Sequence, residues 1–191
     1  MQNSLLLRVV TPALLLLLAT TANAAPFACG DIYRQASLNS AESCSSQSLG
    51  STVKAPKLTT LFGGTWVQQG ELTGNGSNGL FSVSGSNWGN EDVSGTWLIN
   101  SSFWNTYGAA LITMHVGGGQ KNAVDNFEWV VTPNSLAGTW SYDKLKGKGG
   151  GLSNIKLWGS GKPTVKVPES SALLLMLIGL FSLGFARRVA K

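Results

Sequence analysis

Between Leu58 and Ser160 no apolar segment reaches helix length. Apolar and aromatic residues come instead in short runs separated by Gly, Asn and Ser clusters. That texture marks many short strands joined by turns. The runs are Thr65–Gln69, Gly79–Ser84, Ser94–Asn100, Ala109–Val116, Asn126–Thr132, Thr139–Asp143 and Leu152–Gly159. Alternation assigns faces within them. Phe81 and Val83 share a face, as do Trp97 and Ile99. Ala110, Ile112, Met114 and Val116 oppose Leu111, Thr113 and His115. Phe127, Trp129 and Val131 align, as do Ile155 and Leu157. Seven to nine strands at this spacing predict an all-β fold, an antiparallel β-sandwich or jelly-roll-like domain over residues 58–160. A parallel α/β fold is disfavoured, because no helical segment separates the strands. Residues 25–57, rich in Ser, Asn and Ala, read as an irregular arm with a short helix after Asp31. Residues 161–166 read as a linker.

The two ends have a different character. Arg8, the apolar stretch Val9–Ala19 and Ala22-Asn23-Ala24 form a secretory signal peptide over residues 1–24, with cleavage before Ala25. At the other end Val167-Pro168-Glu169-Ser170 precedes an uncharged run, Ala172–Ala186, and then Arg187-Arg188. As a helix that run would be about 22 Å long. Extended to residues 171–187, with arginine stems reaching the headgroups, it approaches the length of a bilayer core. The basic cluster would stay cytoplasmic. A signal-peptide helix and a C-terminal transmembrane helix therefore flank the β domain.

Most of the net charge of +5 belongs to these ends, which leaves about +2 for the body and argues against a nucleic-acid partner. Lys144, Lys146 and Lys148 read as a solvated loop. Cys29 and Cys44 in an exported chain are expected to form a disulfide that pins the arm.

Chemistry is sparse. His115 is the single histidine. It lies in an expected strand with no carboxylate near it in sequence, which is a weak setting for a general base. The body's acids are Asp31, Glu42, Glu71, Glu91, Asp92, Asp125, Glu128 and Asp143. They form no recognisable pair for glycoside hydrolysis, and Glu91-Asp92 reads as a solvated turn or weak calcium ligands. No catalytic residue, metal site or cofactor is assigned. Of the seven tryptophans, Trp66, Trp97, Trp129 and Trp140 fall in strand patterns and are candidate core. Trp88 and Trp104 sit among amides. They are candidate platforms for a sugar ring, or else caps on the sandwich ends. Gly-Thr-Trp occurs three times, at Gly64, Gly95 and Gly138, and reads as a recurrent way of starting a strand.

The order Val167-Pro168-Glu169, apolar span, Arg187-Arg188 resembles the PEP-CTERM sorting signal, whose usual pattern is Val-Pro-Glu-Pro; here Ser170 replaces the second proline. The body, from Trp88 to Val167, also looks like a cargo domain of PEP-CTERM proteins. The residues are Ser94-Gly95-Thr96-Trp97, Ser101-Ser102-Phe103-Trp104, Gly117–Gly119, Ala137-Gly138-Thr139-Trp140 and Leu152–Gly159. The resemblance implies processing by an exosortase, after passage through the Sec translocon and an inner-membrane intermediate facing the periplasm. It also implies a cell-surface or extracellular destination in an exopolysaccharide- and biofilm-making bacterium. The expected function is that of an exported, non-enzymatic surface or matrix protein. Alternatives are a carbohydrate-binding module that uses Trp88 and Trp104 on polysaccharide, and a secreted hydrolase.

Overall fold

The computed structural model describes residues 25–118 and 120–163, together with Met176. The expected signal peptide over residues 1–24, the expected helix over 171–187 apart from Met176, and the expected sorting residues Val167, Pro168, Glu169, Arg187 and Arg188 lie outside the described residues. Among those described, no helix is long and apolar enough to cross a membrane.

Eleven strands and one α-helix make up the described body. In chain order they are β1 (Phe27–Gly30), β2 (Arg34–Leu38), β3 (Ala41–Gln47), α1 (Ala55–Phe62), β4 (Val67–Leu72), β5 (Gly76–Ser77) and β6 (Phe81–Ser86). Then come β7 (Asp92–Ile99), β8 (Ala109–Val116), β9 (Asn126–Val131), β10 (Ala137–Lys144) and β11 (Leu152–Ser160). They form two antiparallel sheets. Sheet A has the order β1-β2-β10-β7-β6-β5 and sheet B the order β3-β9-β8-β11-β4. The main core lies between them. Sheet A contributes Leu38, Phe81, Val83, Trp97, Ile99, Trp140 and Tyr142; sheet B contributes Ile112, Met114, Phe127, Trp129, Ile155 and Leu157. The face assignments read from alternation hold in each of these strands.

Residues 25–57 are not an irregular arm. They supply β1 and β2 at the edge of sheet A and β3 at the edge of sheet B. No helix follows Asp31, whose side chain instead caps the turn into β2 by accepting from the Tyr33 and Arg34 amides. The β domain therefore begins at Phe27, not at residue 58. These strands are poor in Val, Ile and aromatic residues, so their own propensity is weak. Partners with stronger patterns, β10 and β9, hold them in place.

Sheet B is covered on its outer face as well. Pro56 sits in the first turn of α1, where its missing N–H costs nothing. Gly63 ends the helix at φ 70°, its amide bonded to the Thr59 carbonyl. Leu58 of α1, with Val53 and Trp66, packs on Leu111 and Trp158. That second layer explains why β8, β9 and β11 are buried on both faces.

Of the Gly-Thr-Trp triplets, that at Gly138 lies at the start of β10 and that at Gly64 runs directly into β4, as expected, whereas that at Gly95 lies in the middle of β7. Those at Gly95 and Gly138 face each other across the ladder. Gly138 is paired with Trp97, Thr139 with Thr96 and Trp140 with Gly95. A Cβ on Gly138 would stand 2.7 Å from the Trp97 indole nitrogen. One on Gly85, the neighbour of Gly95 on β6, would stand 2.5 Å from the Trp140 ring. Glycine is required at these positions to admit an indole, from the next strand at Gly138 and from across β7 at Gly85. The triplet at Gly64 is different: Trp66 belongs to the outer layer and donates its N–H to the Gly63 carbonyl.

Candidate functional site

Trp88 and Trp104 do not form a sugar platform. Trp104 stands in a 3-10 turn, Ser101–Asn105, after β7. It is buried, edge-on to Phe103, and donates its N–H to the Ser135 carbonyl at 3.0 Å. Trp88 lies in the β6–β7 loop, half-buried, with its ring edge-on to Trp140 at 5.9 Å. The two stand at opposite ends of β7, an eight-residue strand about 26 Å long. Polar neighbours in sequence suggested exposure, but both rings turn inward and close the ends of the core.

Cys29 and Cys44 are free thiols, not the expected disulfide. They are neighbours nonetheless, on β1 and β3. The Cys29 thiol also lies 3.5 Å from the Ser45 carbonyl. Burial, then the contact with Cys44, pushes the Cys29 thiol well above its usual range. Burial also raises Cys44, with the hydrogen bond to Cys29 opposing. Protonated thiols are poor nucleophiles, so the pair persists reduced until an oxidant reaches it.

Most of the acids are engaged structurally. Asp125 accepts from the Leu49 and Gly50 amides and from the Asn126 side chain. Asp31 also binds the Val124 amide at 2.9 Å. Glu91 pairs with Lys144, and Glu71 with Lys156 at 3.2 Å. The pairing with Lys144 takes Glu91 away from the calcium reading. Among the described residues no three His, Cys, Asp or Glu side chains group to hold a metal. His115 is half-buried on the outer face of sheet B, and burial lowers its pKa.

Two buried polar groups have no counterpart among the sequence-based expectations. The first is Glu128, fully buried on the outer face of β9, between Ser45 and Thr113 on the flanking strands. Neither carboxyl oxygen makes a well-formed hydrogen bond. Burial pushes the group up to about 8; Ser45 and the charge of Lys57 oppose that rise and Asp125 adds to it. At neutral pH Glu128 is mainly a neutral carboxylic acid.

The second is Arg34. It occupies an inward position of β2, in line with Ala36 and Leu38, and is 1% exposed. Its Nη1 donates to the Val124 carbonyl at 2.9 Å. Its Nε and Nη2 have no acceptor among the described residues, and the neighbouring Tyr142 hydroxyl has none either. Burial pushes Tyr142 up to about 12, with Arg34 opposing, so the phenol stays protonated. The run Gly147–Gly151 closes over both. The signal available in sequence was an arginine in phase with Ala36 and Leu38, which alternation alone would have placed inside.

Comparison of the chain with family models, with curated proteins and with solved structures returns no match.

Proposed function

We propose that this chain is an exported, non-enzymatic protein of the cell surface or extracellular matrix, delivered by its two terminal signals. The Sec translocon takes it across the inner membrane. The C-terminal segment holds it there, facing the periplasm, until an exosortase-type enzyme acts on the Val167-Pro168-Glu169 signal. The reading rests on one observation. All eleven described strands fall between the expected cleavage point after Ala24 and the sorting signal at Val167, the first beginning at Phe27 and the last ending at Ser160. Removal of either end would leave both sheets with their full complement of strands.

The test is in the native host. Pro168→Ala with Glu169→Ala, or deletion of residues 187–191, should leave a heavier, membrane-retained or mislocalised form. Unchanged mature mass and location in both variants would remove the reading. An association with exopolysaccharide follows from the sorting signal alone and is no longer tied to Trp88 and Trp104.

A further inference from the structure

We propose that the loop end of the sandwich contains a carboxylate-binding site, formed by the guanidinium of Arg34 and the hydroxyl of Tyr142 and covered by the run Gly147–Gly151. The proposal is independent of how the protein is sorted.

The starting point is a buried cation with no direct ion pair. Arg34 is buried, yet neither ion pair among the described residues includes it. A buried cation without a partner is costly, because desolvation is not offset by an opposite charge. Asp31, close in sequence, has its oxygens on the backbone amides of Tyr33, Arg34 and Val124. The unused nitrogens are Nε and Nη2, which share one edge of the guanidinium plane. That edge presents two parallel N–H groups, the match for a carboxylate bound through both oxygens.

The geometry converges. A Cβ built on Gly150 would lie 2.9 Å from Arg34 Nε, 2.9 Å from Nη2 and 2.9 Å from the Tyr142 oxygen. Three donors that lack an acceptor thus converge on the space that Gly150 fills. Gly150 stands there at φ 101°, a conformation that side chains rarely adopt. A side chain there would block the fork. The covering run is exposed apart from Gly150 and its immediate neighbour, and Lys148 is its one side chain. Displacing it uncovers the fork without unpacking an apolar side chain of the main core.

Charge selects the class of anion. Glu91, Asp92 and Asp143 all act on Tyr142 electrostatically from this end of sheet A. Three nearby carboxylates oppose any anion, and a dianion such as phosphate more than a monoanion, so a monoanion with two oxygens suits the fork best. The carboxylate could come from a sugar acid or from the C-terminus of a peptide.

Thermal stability of the full folded chain, at fixed ionic strength, separates these cases. The probes are acetate, D-glucuronate, N-acetylglycine and inorganic phosphate, with chloride as reference. A carboxylate that binds the native state raises the melting temperature in a concentration-dependent way. Acetate is expected to stabilise over chloride and phosphate; a larger effect of glucuronate assigns a sugar acid, and of N-acetylglycine a peptide terminus. Tyr142→Phe removes one oxygen from the core and should weaken the apparent affinity by about 5- to 10-fold. Arg34→Met should abolish the response while melting no lower than wild type in chloride. Equal effects of acetate and chloride on wild type, or an undiminished response in Tyr142→Phe, would overturn the proposal.

Discussion

Gly138 and Trp97 occupy the same inward site from adjacent strands, and that sharing sets the consequence of one added methyl group. In Gly138→Ala the new carbon meets the Trp97 ring at 2.7–2.8 Å. Trp97 is 1% exposed and cannot withdraw into solvent. Overpacking of this kind costs about 1–3 kcal/mol. Urea denaturation of the alanine variant should show that loss with an unchanged slope; full wild-type stability would show that the ring has room to move. Glu128 supports a second expectation. In the fold its carboxyl stays protonated up to about pH 8, whereas the unfolded group ionises near 4.5. Between those limits the native state holds the extra proton, so Glu128's contribution makes stability fall as pH rises, by at most about 1.4 kcal/mol per pH unit. Glu128→Gln should flatten that decline. An identical pH profile in the variant would mean that the wild-type carboxylate finds a partner when it ionises.

At the scale of elements, alternation gave the strongest strands almost to the residue. Ala109–Val116 is the same in sequence and structure, because its inward and outward sets are both apolar enough to be unambiguous. β1, β2 and β3 were illegible for the opposite reason. Their residues are small and polar, and their pairing is supplied by neighbours distant in sequence. The helix α1 was hidden by its length of eight residues, too short for periodicity to stand out. Arg34 and Glu128 escaped notice because a charged residue reads as a surface residue until its strand partners are known. The energetics of these elements can be measured. Leu58 is the one fully buried side chain of α1, so Leu58→Ala should cost about 2–5 kcal/mol. A smaller loss would mean that Val53 and Trp66 hold the outer layer unaided. Cys29 and Cys44 sit on strands from different sheets whose edges pack together. In an oxidising compartment these neighbouring thiols are placed to join. Reduction of the oxidised protein should then lower stability by about 3 kcal/mol, the value for a loop of roughly this length. Alkylation of both thiols after oxidant treatment and unfolding would show that they stay free.

On the scale of the whole molecule, the two sheets depend on each other through one core, and among the described residues no strand of that core lies outside Phe27–Ser160. Sheet A needs the N-terminal strands, since β2 lies between β1 and β10. Sheet B needs the last strand, since β11 lies between β8 and β4. β2 and β11 are thus interior strands, each next to an edge strand, and trimming into either should be far more damaging than trimming outside them. The linker begins with a contact of its own: the Gly108 amide donates to the Ser160 carbonyl at 3.1 Å, and the Lys162 carbonyl packs on Gly108. A chain of residues 25–163 should therefore fold cooperatively, with the near-ultraviolet signal of ordered tryptophans. A chain of residues 39–163, which lacks β1 and β2, should lose that signal. Deleting β2 would expose the edge of β10 and leave Trp140 and Tyr142 without Leu38 and Ala36 opposite them. If the 39–163 chain folded as stably as the longer one, the N-terminal strands would be an accessory to the sandwich and not a structural member of it. If the 25–163 chain failed to fold, the segments outside it would have to supply stability.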